Sequence, residues 1–121
     1  FLVAEKSHEE LMKTKSQDFT KLVYIPIDYR YRDDFLVCKK YRNVESVAFC
    51  DVAIFISGRW GTLNEFSIAY DLGKTIAVYT GAGKFGTVSQ SLLNLFKKES
   101  KSKLIFNDDY KQLVQNVFQE N

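Results

Sequence analysis

The stretch Asp51–Ser57 (DVAIFIS) is apolar at five successive positions and leads directly into a glycine-bearing turn and a helix-forming segment. A short apolar run without alternation fits a strand buried on both faces, and such strands belong to parallel sheets whose crossovers are helices. The pattern recurs along the chain. Helix is expected over 5–17, strand over Lys21–Ile27, a polar aromatic loop over Tyr29–Asp34 and helix over Phe35–Phe49. Strand 51–57, helix 62–72 closed by Gly73, strand Thr75–Thr80, loop Gly81–Gly86 and helix Thr87–Lys98 follow. Strand Lys103–Phe106 then precedes a last helix capped by Asp108. Four strands separated by helices predict right-handed βαβ units. The expected class is α/β, a Rossmann-like three-layer parallel sheet with helices on both faces.

The 121 residues suffice for one domain with a single core, so residues 1–121 are read as one domain. Doubly wound folds open with a strand, whereas this chain opens in a helix, and residues 1–4 (FLVA) cannot supply both a strand and its crossover. The first βαβ is therefore expected to be missing, which makes the chain read as a C-terminal fragment of its domain. Hydrophobic residues make up 45% of the chain, yet no apolar run approaches the roughly 20 residues of a membrane span, so no membrane partner is expected. Cys38 and Cys50 lack metal or CxxC spacing, which points to a reducing cytoplasm and a core role for Cys50. His8, the only histidine, falls on a charged helix, so a triad or a metal centre has no support.

The turn Gly58-Arg59-Trp60-Gly61-Thr62-Leu63-Asn64-Glu65 carries the functional signal. A glycine turn between strand and helix gathers free backbone N–H groups and the positive end of the helix dipole, the geometry of a phosphate site. Glu65, one turn inside the helix, would lie beside the ligand. Thr62-x-x-Glu65 is equally a capping box, which accounts for both residues without any ligand. Trp60 is either a lid on a ligand or a contact in an oligomer interface. Upstream, Arg42 offers a planar fork for phosphate, carboxylate or Glu65, while its neighbours Lys39 and Lys40 make a solvated helix face the plain alternative.

Arg42-Asn43, followed at matching distance by Ser57-Gly58-Arg59-Trp60-Gly61-Thr62-Leu63-Asn64-Glu65, resembles the signature of the LOG-type proteins, a superfamily shared with the DprA/Smf proteins. In that family an Arg-Lys or Arg-Asn pair precedes Pro-Gly-Gly-x-Gly-Thr-x-x-Glu. The likeness runs over roughly residues 35–118, through Ala69–Val78 and Leu104–Val117. It implies a Rossmann-like fold, usually a homodimer, that binds a nucleotide or ribose phosphate without a further cofactor or a metal. In the LOG enzymes the reaction is hydrolysis of the N-glycosidic bond of a nucleoside 5′-monophosphate. The resemblance gives the catalytic positions to Arg42 and Glu65, and ligand binding to Asn43, Gly58, Arg59, Trp60, Gly61 and Thr62. The chain departs from the pattern at Ser57, in place of proline, and at Arg59, in place of the second glycine. Asn43 stands where the LOG enzymes carry lysine. Binding is thus better supported than hydrolysis.

Two other patterns compete. Gly81-Ala82-Gly83-Lys84-Phe85-Gly86 is a literal GxGxxG, with Asp108 downstream as a ribose ligand, but that fingerprint belongs after the first strand of a fold. A flexible loop beside the pocket fits better, from which Lys84 could still reach a ligand phosphate. Tyr29-Arg30-Tyr31-Arg32 with Lys39, Lys40, Tyr41 and Arg42 interleaves rings with cations, as single-stranded nucleic-acid binders do, although Asp28, Asp33 and Asp34 dilute the patch. DprA/Smf-like nucleic-acid binding, or a non-catalytic interaction domain, is the alternative function.

Overall fold

The computed structural model describes residues 23–119. The helix expected over 5–17, with His8, and the start of the strand expected from Lys21 lie outside the described residues. Four helices and three strands follow in order: α1 (Phe35–Phe49), β1 (Val52–Phe55), α2 (Trp60–Asp71), β2 (Thr75–Tyr79), α3 (Phe85–Phe96), β3 (Lys103–Asn107) and α4 (Tyr110–Gln119). The chain forms two compact units, divided inside α1 after Ser46.

In the first unit, the described part of the strand expected over Lys21–Ile27 holds a single bridge residue, Tyr24, and the chain turns from Ile27 onward. Pro26 offers no N–H to a ladder and its carbonyl accepts the Tyr29 N–H at 3.0 Å, which closes that turn. Asp34 starts α1 as a side-chain cap: its Oδ1 accepts from the Val37 N–H at 3.1 Å and its carbonyl from Cys38 N–H at 2.9 Å. The fully buried Cys38 thiol lies 3.2 Å from the Tyr31 carbonyl and ties the loop to the helix.

The second unit is built on a parallel sheet in the order β1-β2-β3. Val52–Phe55 pairs with Thr75–Val78, and Thr75–Tyr79 with Lys103–Asn107. Alternate residues of each strand serve opposite faces. On one face Phe55, Ile76 and Val78 pack with Phe66 and Ala69 of α2, Phe85 of α3 and Val47 of α1. On the other, Ala77 and Ile105 pack with Leu113 and Val117 of α4. Helices therefore cover both faces of an α/β sheet, as the alternation of the sequence predicts. Since α4 lies on β2 and β3, Ile54 of β1 stays 44% exposed on that face.

Helix ends follow from local chemistry. Gly73, at φ +69°, reverses the chain after α2, and the N–H groups of Gly73 and Lys74 bond to the carbonyls of Tyr70 (3.2 Å) and Ala69 (3.0 Å). This Schellman pair confirms the expected role of Gly73. The cap of the last helix is Asp109 rather than Asp108. Its Oδ1 accepts the N–H groups of Lys111 (2.8 Å) and Gln112 (3.2 Å), while Asn107 Oδ1 holds the Asp109 N–H at 2.8 Å. β3 runs one residue longer than expected, which moves the cap one residue along.

Candidate functional site

All three strands point the same way, so the turns 56–59 and 80–84 and the residues Asp108 and Asp109 gather at the carboxyl edge of the sheet. They are in contact. A methyl group added at Gly83, which sits at φ +64°, would lie 3.3 Å from Ser57 Oγ, and one added at Gly81 would lie 2.8 Å from the Asp108 carbonyl. Tyr79 folds its hydroxyl over Gly81 in the same place. The GxGxxG segment is thus a bridge between the β1 and β3 ends. It follows β2, with Asp108 offering its backbone to Gly81, an arrangement unlike the dinucleotide fingerprint.

The turn after β1 is rooted in aromatic packing. Phe55, the last residue of β1, meets Phe66 of α2 with ring centroids 5.6 Å apart and Phe85, the first residue of α3, at 5.7 Å; Phe66 and Phe85 are also 5.7 Å apart. The two edge-on pairs, both made by Phe66, contribute about 0.5–1.5 kcal/mol each beyond the area they bury, and the Phe55–Phe85 pair is tilted. One cluster therefore ties the end of β1 to the middle of α2 and the start of α3.

Helix α2 begins at Trp60, two residues earlier than the sequence predicts, and its cap position is Arg59, whose side chain makes no capping bond. Thr62 is thus the third residue inside the helix and Leu63 N–H already bonds to the Arg59 carbonyl at 3.0 Å. The Thr62–Glu65 capping box does not form. Its site is taken by packing: a Cβ built at Gly58 would collide with the Oγ1, Cβ and Cγ2 atoms of Thr62. The first-turn N–H groups of Trp60, Gly61 and Thr62 precede the first intrahelical bond, and Gly58, Arg59, Trp60 and Gly61 are all exposed. A Cβ on Gly61 would meet nothing within 4 Å. Residues 61 and 65 share a helix face one turn apart, and Glu65 is half-buried. Among the described residues Glu65 has no ion-pair partner.

The upstream pair lies on α1 in the first unit. Arg42 is half-buried and Asn43 is 4% exposed, with its carbonyl accepting the Ser46 hydroxyl at 3.1 Å. The aromatic–cationic loop of that unit is engaged with itself. Tyr29 packs on Tyr41 at 4.9 Å and on Tyr31 at 6.0 Å, Arg30 lies 5.5 Å from the Tyr31 ring, and Arg32 Nη1 donates to the Ile27 carbonyl at 2.9 Å. Loss of hydration, with smaller contributions from Glu45 and Tyr29, raises the Tyr41 phenol above its ordinary pKa. The rings meet edge-on or tilted rather than face to face, and Tyr31 stays 47% exposed. A shallow hollow of about 470 Å³, lined by Arg30, Tyr31, Asp33, Asp34, Phe35 and Leu36, belongs to this loop and includes none of the expected ligand-binding residues.

The loop Gly81–Gly86 is expected beside the pocket; the parallel register adds the particular approach of Gly83 to Ser57, which sequence distance hid. No curated protein and no solved structure matches the chain. A protein-family model described as the SLOG cluster4 family matches residues 37–114, from the third residue of α1 into α4, and so takes in the Arg42-Asn43 pair, the whole sheet and the turn before Glu65. On that match, across well over half of its length, the chain belongs to the SLOG cluster4 family.

Proposed function

We propose that the carboxyl edge of the sheet binds the phosphate of a nucleotide at Gly58–Thr62, as befits a SLOG-type nucleotide-binding domain. The observation that carries this reading is the uncapped, exposed first turn of α2 with open space above Gly61 and the Glu65 carboxylate on the same face. Backbone N–H groups and the helix dipole favour an anion there, and in open α/β sheets ligands bind outside the carboxyl ends of the strands. Arg59 adds a cation at the cap position. A ribose held beside the phosphate would place its hydroxyls within reach of Glu65, an acceptor with no cationic partner among the described residues.

Hydrolysis is the finer form of the proposal. In it, Glu65 stabilises the oxocarbenium character of the ribose or orients water. Binding and turnover separate experimentally. Binding predicts that nucleoside 5′-monophosphates raise the melting temperature of the protein, and that Arg59→Ala together with Gly61→Val abolishes the rise. An unchanged melting temperature in the wild type at millimolar nucleotide would refute the binding site. Hydrolysis predicts free base released from AMP or another monophosphate, lost in Glu65→Gln. Retained turnover in that variant removes Glu65 from the chemistry.

A further inference from the structure

Helices α2 and α3 run back from the carboxyl edge of the parallel sheet, so both end at its amino edge, where β2 and β3 begin. The segment that leaves α3 there is Lys97-Lys98-Glu99-Ser100-Lys101-Ser102-Lys103, with four lysines against one acid in seven residues. It is fastened to the end of α2. The Tyr70 hydroxyl donates to the Lys98 carbonyl, the Ser100 hydroxyl to the Tyr70 carbonyl, and the Ser102 hydroxyl to that same carbonyl at 3.1 Å. Lys98 pairs with Asp71, whereas Lys97 and Lys101 have no ion-pair partner among the described residues. The dipole of α3 accounts for cations at Lys97 and Lys98, but not for those at Lys101 and Lys103. Lys97 also holds φ +48°, a conformation that glycine adopts at lower cost. With Lys74, just before β2, the amino edge carries five lysines against Asp51, Asp71 and Glu99. At the carboxyl edge the signs balance, Arg59, Lys84 and Lys111 being matched by Glu65, Asp108 and Asp109.

We infer that the amino edge is a docking surface for an anionic lipid bilayer. Apolar side chains stand among its cations: Leu72, which closes α2, is 49% exposed, and Leu95 and Phe96, the last residues of α3, are 73% and 72% exposed. A bilayer interface satisfies both kinds of group, with Lys97, Lys101 and Lys103 at the headgroup phosphates and Leu95 and Phe96 among the upper acyl carbons. A nucleic-acid backbone or an acidic peptide would pair the lysines and leave the apolar tips in water. The fastened segment presents its lysines without first having to be ordered. The protein lies on the membrane in this reading, since no helix among the described residues is long and apolar enough to cross one. A few unpaired lysines and two apolar tips make the attachment reversible, each lysine near the surface changing the partition about fivefold. This inference does not depend on the nucleotide site.

Flotation of the full chain with vesicles tests it, using phosphatidylcholine alone and phosphatidylcholine with about one-third phosphatidylserine. The expected result is binding to the anionic vesicles only, falling steeply between about 0.05 and 0.5 M salt. Lys97→Gln together with Lys101→Gln should weaken the partition about 25-fold. Phe96→Ala should weaken it with the salt dependence unchanged. Lys39→Gln with Lys40→Gln, the same loss of charge from exposed positions early in α1, should change it less than twofold, which separates the amino edge from net charge. All four substituted lysines are exposed, and equal melting temperatures would show that the variants fold alike. Absence of binding to anionic vesicles at low salt, equal binding to neutral ones, or an equal loss in the α1 control would overturn the proposal. So would an oligonucleotide or polyglutamate that competes the protein off the vesicles while Phe96→Ala has no effect, an outcome that assigns the lysines to a different polyanion.

Discussion

The side chain of Thr62 lies directly over the α-carbon of Gly58, so that no residue with a Cβ fits at position 58 while α2 starts where it does. The two glycines of the turn therefore do different things. Gly58 yields space to the protein, and Gly61 yields it to solvent.

Substitution separates them. Gly58→Ala is expected to cost about 1–3 kcal/mol in a denaturant titration, the usual penalty for overpacking, because Thr62 and the first turn must shift. Gly61→Ala meets nothing and replaces a helical glycine, so stability should be unchanged or rise by up to about 1 kcal/mol. Its effect should instead appear as weaker nucleotide binding in a thermal-shift titration.

Phe66 is 4% exposed and touches both other rings of the phenylalanine cluster. Phe66→Ala should destabilise by about 3–5 kcal/mol, read from the urea midpoint, with the exposed Phe96→Ala as a near-neutral control.

Asp109 and Asp108 are neighbours with opposite expectations. Asp109→Ala removes the acceptor for two helix N–H groups and should cost about 0.5–2 kcal/mol. Asp108→Ala removes an exposed side chain that caps nothing and should fall within about 0.5 kcal/mol of the wild type.

Tyr41 gives the protein an alkaline limit. Its phenol has a raised pKa in the folded state, first through lost hydration and then through Glu45 and Tyr29. The neutral form is thus favoured by folding, and the associated stability is present below the ordinary phenol pKa of about 10 and lost as pH rises through the folded value. In melts across that range, Tyr41→Phe should show a shallower alkaline decline than the wild type.

The sequence was legible where a single period or a single residue decides the structure. Helix α1 spans the expected Phe35–Phe49, Gly73 turns the chain after α2, and three of the expected strands form a parallel sheet. Errors fell where two local solutions compete for the same groups. At the start of α2 the capping box lost to close packing of Thr62 on Gly58, an outcome that depends on Phe66 pinning the helix to Phe55. At the start of α4 two adjacent aspartates offered the same cap, and the sheet register chose between them. The loop after β2 was legible as a neighbour of the turn after β1, whereas the approach of Gly83 to Ser57 left no trace in the sequence, since it arises only once β1 and β2 pair.

The three phenylalanines make the turns after β1 and β2 a single mechanical piece. Phe55 ends one strand, Phe66 anchors the helix that follows it and Phe85 opens the next, so neither turn can tilt without prising rings apart in both. Under the proposed function, a phosphate arriving at Gly61 would meet a turn already ordered by this cluster, so less loop entropy would be lost on binding.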